Sequence, residues 1–236
     1  AWNNWLMNAL KADRSTWETT LRDIGDHIAP YSHEFVLTDG NDGRRRDDSI
    51  INNTPTDALE VATSGLFSGL CNPTEAWVAM ESVDRNLNKS HGVRMYCDAV
   101  SEILISENAR ANFDQVVTED FESMLAFGTC ASQCLESFER AAFWYYTMPM
   151  GSYYIANNAK RNIDTVGAEM SMTAQQMAEK FPKENLSAAV RDALARPGGS
   201  VRRFDVGQII APNPDYRQGN RLAKHMRYRS CFYEIN

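Results

Sequence analysis

Histidines, cysteines and paired carboxylates are the residues of this 236-residue chain whose chemistry would matter first. His27, His33, His91 and His225 could ligate a metal, but none stands at the HxxxH or HExxH spacing that places two imidazoles on one helix face. Cys71, Cys97, Cys130, Cys134 and Cys231 include no CxxC pair, and their odd number fits buried, reduced thiols better than a disulfide framework. Cys130 and Cys134 would share a helix face only if a helix ran past Gly128, which instead reads as a helix stop. Ser64-Gly65-Leu66-Phe67-Ser68-Gly69 lacks the GxSxG order and the preceding strand of a nucleophile elbow. Neither GxxxxGK[ST] nor GxGxxG occurs, so no glycine loop is set to cradle a phosphate. Asp47-Asp48 and Glu119-Asp120 are sequence neighbours, the pattern of a solvated face rather than of a converging acid and base. The expectation is no catalytic residue, no metal and no cofactor.

Binding chemistry is better represented. Arg44-Arg45-Arg46 could meet DNA phosphate or an acidic partner surface, although Asp42, Asp47 and Asp48 offset the charge locally. The aromatic run Phe143-Trp144-Tyr145-Tyr146, followed by Tyr153-Tyr154, could stack bases, but aromatics at strand positions more often anchor a core or an interface. A net charge of −7 argues against a domain whose affinity rests on gripping phosphates. With 43% hydrophobic and 23% charged residues the composition is that of an ordinary globular protein, and no apolar run approaches the ~20 residues needed to span a bilayer.

The elements that would position these groups follow from periodicity. Trp17, Leu21, Ile24 and Ile28 line one face of a helix from about Trp2 to Ile28, stopped by Pro30. A polar, glycine-containing loop covers 38–50. Thr54 caps a second helix with Pro55 in its first turn, and Ala58, Val61, Ala62, Gly65, Leu66 and Gly69 form its packing stripe. Two glycines on that stripe cost about 1 kcal/mol each in helix propensity, so close approach of another backbone is the expected return. Ala76–Met80 reads as a strand, followed by helices over about Val93–Glu107 and Ala109–Phe127. Strands are expected at about 131–138, 143–149, 152–157, 163–171, 201–211 and 227–235, with short helices at 174–181 and 186–195. The fold class is α+β: amino-terminal helices over 1–128, then a mostly antiparallel β region with short helices over 129–236, in one continuous unit. The chain reads as part of a longer protein.

Two segments carry a family resemblance. Asp48-Ser49-Ile50 through Met80 (DSIINNTPTDALEVATSGLFSGLCNPTEAWVAM) gives a short polar entry, a helix with small residues and a Ser-Gly-Leu turn, then an Asn/Thr-Pro and a Trp-bearing strand. Phe143 to Pro182 gives a strand reaching Met148-Pro149-Met150-Gly151, a Tyr-Tyr-Ile strand, a polar turn, and Ile163-Asp164-Thr165-Val166 running into Thr173-Ala174-Gln175-Gln176. Ala126-Phe127-Gly128-Thr129 matches a Phe-Gly-Thr after a long helix. Together these resemble the portal, or head-to-tail connecting, proteins of short-tailed bacteriophages. The turn Asn157–Asn162 departs from the family's usual Asp and Gly.

The resemblance implies the amino-terminal half of a subunit, mostly its wing, in a ring of about twelve copies at one capsid vertex. It implies a channel for double-stranded DNA in packaging and ejection, with terminase, major capsid or scaffolding protein and a tail adaptor as partners. It implies residence in the virion after assembly in the host cytoplasm, with no enzymatic activity. Trp77, Trp144, Tyr145, Tyr153 and Tyr154 would then be core or subunit-interface anchors. Two other readings stay open: a different virion assembly or adaptor protein, and a hydrolase whose site is built from distant residues.

Overall fold

The computed structural model describes residues 2–35, 50–72, 75–137 and 141–235. Its elements are α1 (Trp2–His27), α2 (Thr54–Leu70), α3 (His91–Arg110), α4 (Phe113–Phe127), β1 (Ala131–Glu136), β2 (Phe143–Met148), β3 (Tyr153–Asn157), β4 (Ile163–Thr173), α5 (Ala174–Lys180), α6 (Ala188–Ala195), β5 (Arg203–Pro212) and β6 (Tyr228–Glu234). Helices come first and antiparallel strands follow, so the fold is α+β as expected. The described residues form two compact units: a helical one from 23–33, 50–72, 75–137 and 141–150, and a sheet unit from 2–22, 34–35 and 151–235.

In the helical unit, α2 starts at Thr54, but the capping differs from the expectation. The cap position is Asn53, which makes no side-chain cap bond. Asn52 Oδ1 instead accepts from the backbone N–H of Thr54 (3.0 Å) and from its hydroxyl (2.7 Å). The packing stripe is also different. Leu59 and Thr63 are the buried residues of α2, whereas Ala58, Val61, Ala62, Gly65 and Gly69 are exposed. A Cβ at Gly65 or Gly69 would meet nothing within 4 Å, so the two glycines serve no close approach inside this unit. Side-chain spacing defines the apolar stripe, but the neighbouring helix α4 meets the adjacent face, where Thr56, Leu59 and Thr63 line a hollow with Thr118 and Glu122. Residues 76–80 form no strand. The Met80 N–H donates to Ser101 Oγ (2.8 Å), and a segment without a neighbouring strand has no ladder to join.

Helix α3 runs three residues further than expected, to Arg110, and Ala111 takes an extended conformation before α4 begins at Phe113. Gly128 ends α4 in the left-handed region (φ +77°), its N–H returning to the Met124 carbonyl at 2.9 Å. Beyond it β1 and β2 pair antiparallel, from Ala131 opposite Met148 to Glu136 opposite Phe143.

The sheet unit has four antiparallel strands in the order β3-β4-β5-β6. Successive side chains point to opposite faces of the sheet, and helices pack on both. On one face Met7 and Leu10 of α1 pack on Tyr154, Ile209 and Ala211. Gly167 leaves the room, since a Cβ there would come within 3.0 Å of Leu10 and Met7. On the other face Ala174, Met177, Val190 and Ala193 of α5 and α6 pack on Val206. Thr173 opens α5 with the capping box its sequence promised: its hydroxyl accepts from the Gln176 N–H (3.2 Å), and Gln176 Oε1 accepts from the Thr173 N–H (2.8 Å).

The divergent turn after β3 has its own solution. Asn158 Oδ1 accepts from the N–H groups of Lys160 (2.9 Å) and Asn162 (3.1 Å), doing what a turn Asp would do. Arg161 takes the positive φ of +61° that a glycine would otherwise supply.

Candidate functional site

The aromatic anchors expected from the sequence fall into three environments. Trp77 and Tyr145 meet inside the helical unit on Phe113. Trp77 stacks on that ring with centroids 5.1 Å apart, and Tyr145 meets it edge-on at 5.4 Å. Tyr145 is held from three sides. Its hydroxyl donates to Asn108 Oδ1 (2.8 Å), its N–H donates to Asn112 Oδ1 (2.9 Å), and its carbonyl accepts from Asn112 Nδ2 (2.7 Å). The Asn112 amide therefore occupies the outer edge of β2 as a third strand would. Three residues before Tyr145, just outside β2, Glu107 Oε2 accepts from the Ala142 N–H (2.9 Å), and this bond, reinforced by Arg110, holds the Glu107 carboxyl below its ordinary range. Burial, then the nearby Cys134 thiol, push the Tyr145 hydroxyl up to about 12.

Tyr153 and Tyr154 lie in the sheet unit and are buried, at 3% and 7% exposure, and Tyr154 belongs to that unit's own core. Around them sits a network of charges. Arg14 Nη1 donates to the carbonyls of Gly151 (2.7 Å) and Tyr153 (2.8 Å), and its guanidinium lies 3.9 Å from the Tyr154 ring centre. Lys11 Nζ pairs with the buried Glu169 at 2.6 Å, and Tyr154 points its hydroxyl at the same carboxylate from 3.5 Å. Burial dominates the Tyr154 hydroxyl and pushes it up to about 12, with Arg14 opposing and Glu169 adding. Tyr154 is therefore not a proton-transfer group near neutrality. The network ties α1 to the sheet through Lys11 and Arg14.

Trp144 is different. Cross-strand partners share a face, which places Leu135, Trp144 and Tyr146 together on one side of the β1–β2 ribbon. Their exposures are 44%, 53% and 45%. The other side of the ribbon, with Tyr145, packs on α4. Arg44, Arg45 and Arg46 lie outside the described residues.

Among the described residues no three His, Cys, Asp or Glu side chains come together as a metal site, and the five cysteines are free thiols. The hollow beside Asn112, about 480 Å³, is lined by Arg110, Asp114, Gln115, Phe143 and Trp144 among others and contains neither histidine nor cysteine. No helix of the described residues is long and apolar enough to cross a membrane.

Sequence reading passed over the β5–β6 connection. Asn213 is buried and ties the loop to itself: Nδ2 donates to the carbonyls of Lys224 and Met226 (both 2.9 Å), and Oδ1 accepts from the Asp215 N–H (3.1 Å). His225, also buried, pairs Nδ1 with the Asp215 carbonyl at 2.9 Å. Arg217, Arg221, Lys224 and Arg227 point from this stitched loop into solvent. Its signal in the sequence is a run of basic residues around a lone Asn-Pro, too dispersed to stand out before the loop closes.

The family model described as "Bacteriophage head to tail connecting protein" matches residues 4–236. A "Probable portal protein" of Bordetella phage BPP-1 is 27% identical over 225 residues, and a "Portal protein" of Salmonella phage epsilon15 is 28% identical over the same length. Each similarity covers 95% of this chain, and the chain spans 40% of the length of either relative.

Proposed function

The chain belongs to the bacteriophage head to tail connecting proteins, and from that premise we propose that it is the amino-terminal part of a portal subunit. Copies of the full-length protein form a ring of about twelve at one capsid vertex, closed by a head-to-tail contact repeated around the axis. The ring conducts double-stranded DNA during packaging and ejection and joins the head to the tail. Terminase, the capsid or scaffolding protein and a tail adaptor are its partners, the virion is its place of action, and it performs no catalysis of its own. Residues 1–128 and 129–236 are the helical and β-rich parts of the wing, the second leading towards the stem.

The observation that carries this reading is the match of the family over residues 4–236. Charge supports it, since a net −7 suits a conduit that passes DNA without gripping it. The ribbon face of Leu135, Trp144 and Tyr146 supplies an apolar anchor for a neighbouring protein of the assembly. Arg44–Arg46 keep a proposed role against DNA or an acidic partner surface. Native mass spectrometry and negative-stain imaging of the full-length protein test the reading. Closed rings of about twelve subunits are expected; a stable monomer or dimer at micromolar concentration would sink it.

A further inference from the structure

The two units of this chain carry opposite charge. Among the described residues the sheet unit holds 16 Lys and Arg against 11 Asp and Glu, whereas the helical unit holds 4 against 15. The overall −7 conceals this split. Part of the positive excess is concentrated at the β5–β6 loop, where Arg217, Arg221, Lys224 and Arg227 are all exposed and Asp215 is the only acid of the connection. Apolar side chains stand among these cations, with Leu222 57% and Tyr228 42% exposed. The loop is not a floppy tether. Asn213 and His225 fix its backbone from within, so its outward side chains are presented in one arrangement.

Helix α3 of the helical unit shows the complementary character. Only Ser101 of its 20 residues is buried. Met95 (59%), Tyr96 (71%) and Ile103 (62%) are exposed, and the charges between Met95 and Ser106 are Asp98 and Glu102, both exposed acids. A helix that buries so little gains little from its own unit, and its apolar face asks for a cover.

We infer that the β5–β6 loop of one copy docks on the exposed α3 face of the next copy, arginines against Asp98 and Glu102 and apolar side chains against Met95, Tyr96 and Ile103. The occupant is a second copy of this chain because the charges that match reside on one sequence. Two different patches in contact make the interface heterologous, the type that propagates around a ring. Opposite charges set the register and speed the encounter, while the apolar residues supply the dry centre. This deepens the ring reading and rests on it for the number of copies.

The test uses the full-length protein in three forms: wild type, the loop variant Arg217→Glu/Arg227→Glu, and the helix variant Asp98→Arg/Glu102→Arg. All four side-chain changes are at solvent-exposed positions, and circular dichroism with thermal melting verifies that each variant is folded. Either variant alone places like charges across the contact, and the concentration needed for rings is expected to rise by about a hundredfold or more. Mixing the two variants in equal amounts restores opposite charges at every contact of an alternating ring, and rings are expected to return. Folded variants that still form rings alone, or that do not recover on mixing, overturn the inference while leaving wild-type rings and the portal reading intact. A loop variant that keeps its rings but loses retention of a short DNA duplex would make the loop a nucleic-acid contact, which also overturns it. Absence of rings in the wild type would instead remove the ring reading itself.

Discussion

Asp120 shows at the scale of one residue what burial does to charge here. Its carboxyl is half-enclosed, one oxygen has no hydrogen-bond partner, and burial pushes it above the ordinary carboxylate range, with Ser132 and Thr147 pulling the other way. A raised folded value means the protonated form is favoured by folding. That stabilisation is fully present below the usual carboxylate range and is lost as pH rises through the raised value. Asp120→Asn is therefore expected to raise the melting temperature at pH 7 and to change nothing at pH 3, read by thermal melts across pH. Asn112 works in the opposite sense. Its amide makes two hydrogen bonds to the Tyr145 backbone, so Asn112→Ala is expected to cost about 2 kcal/mol in chemical denaturation, each lost bond contributing about half. Both effects depend on partners more than ten residues away, which is why adjacency in sequence singled out Glu119-Asp120 only as a solvated pair.

At the scale of elements, glycine positions decide several joints. Gly151 precedes β3 with φ +105°, a conformation that side chains rarely adopt, and a Cβ there would overlap the carbonyl of Glu34. Gly151→Ala is expected to destabilise by more than about 1 kcal/mol, seen as a lower denaturation midpoint with an unchanged slope. Strands and helices after residue 128 lie close to where alternation, turn residues and the Thr173 capping box put them, because those signals are local. The failures have a common cause. Whether Ala76–Met80 forms a ladder, and which stripe of α2 is covered, depends on what lies beside them. Trp77 ends on Phe113 rather than in a sheet, and Gly65 and Gly69 face open space.

For the whole molecule the informative quantity is the distribution of charge and apolar surface, not its total. A chain of −7 with a uniform surface would tend to repel its own copies, whereas one divided into a basic and an acidic unit can join them head to tail. If that electrostatic contact carries assembly, wild-type rings are expected to loosen as salt rises from 0.1 to 1 M, the Debye length falling from about 10 Å to about 3 Å. Sedimentation across that salt series is the measurement, and rings indifferent to salt would point to an apolar contact such as the Leu135, Trp144 and Tyr146 face instead.

By itself the sequence determined the order of elements after residue 128, the α+β class, the absence of any recognisable catalytic spacing and the membership signalled by residues 48–80 and 143–182. Each of these is written in neighbours along the chain: apolar period, caps, turns and short motifs. Only the tertiary structure decided which aromatics are spent inside. Tyr154 vanishes under α1 with Arg14, Tyr153 is buried as well, Tyr145 is clamped by Asn112, and Trp144 alone of the expected anchors stays more than half exposed. The same holds for the basic β5–β6 loop, whose cations become one surface only when Asn213 and His225 close it. Burial and convergence are properties of distance in space, and no spacing along a chain encodes them until it folds.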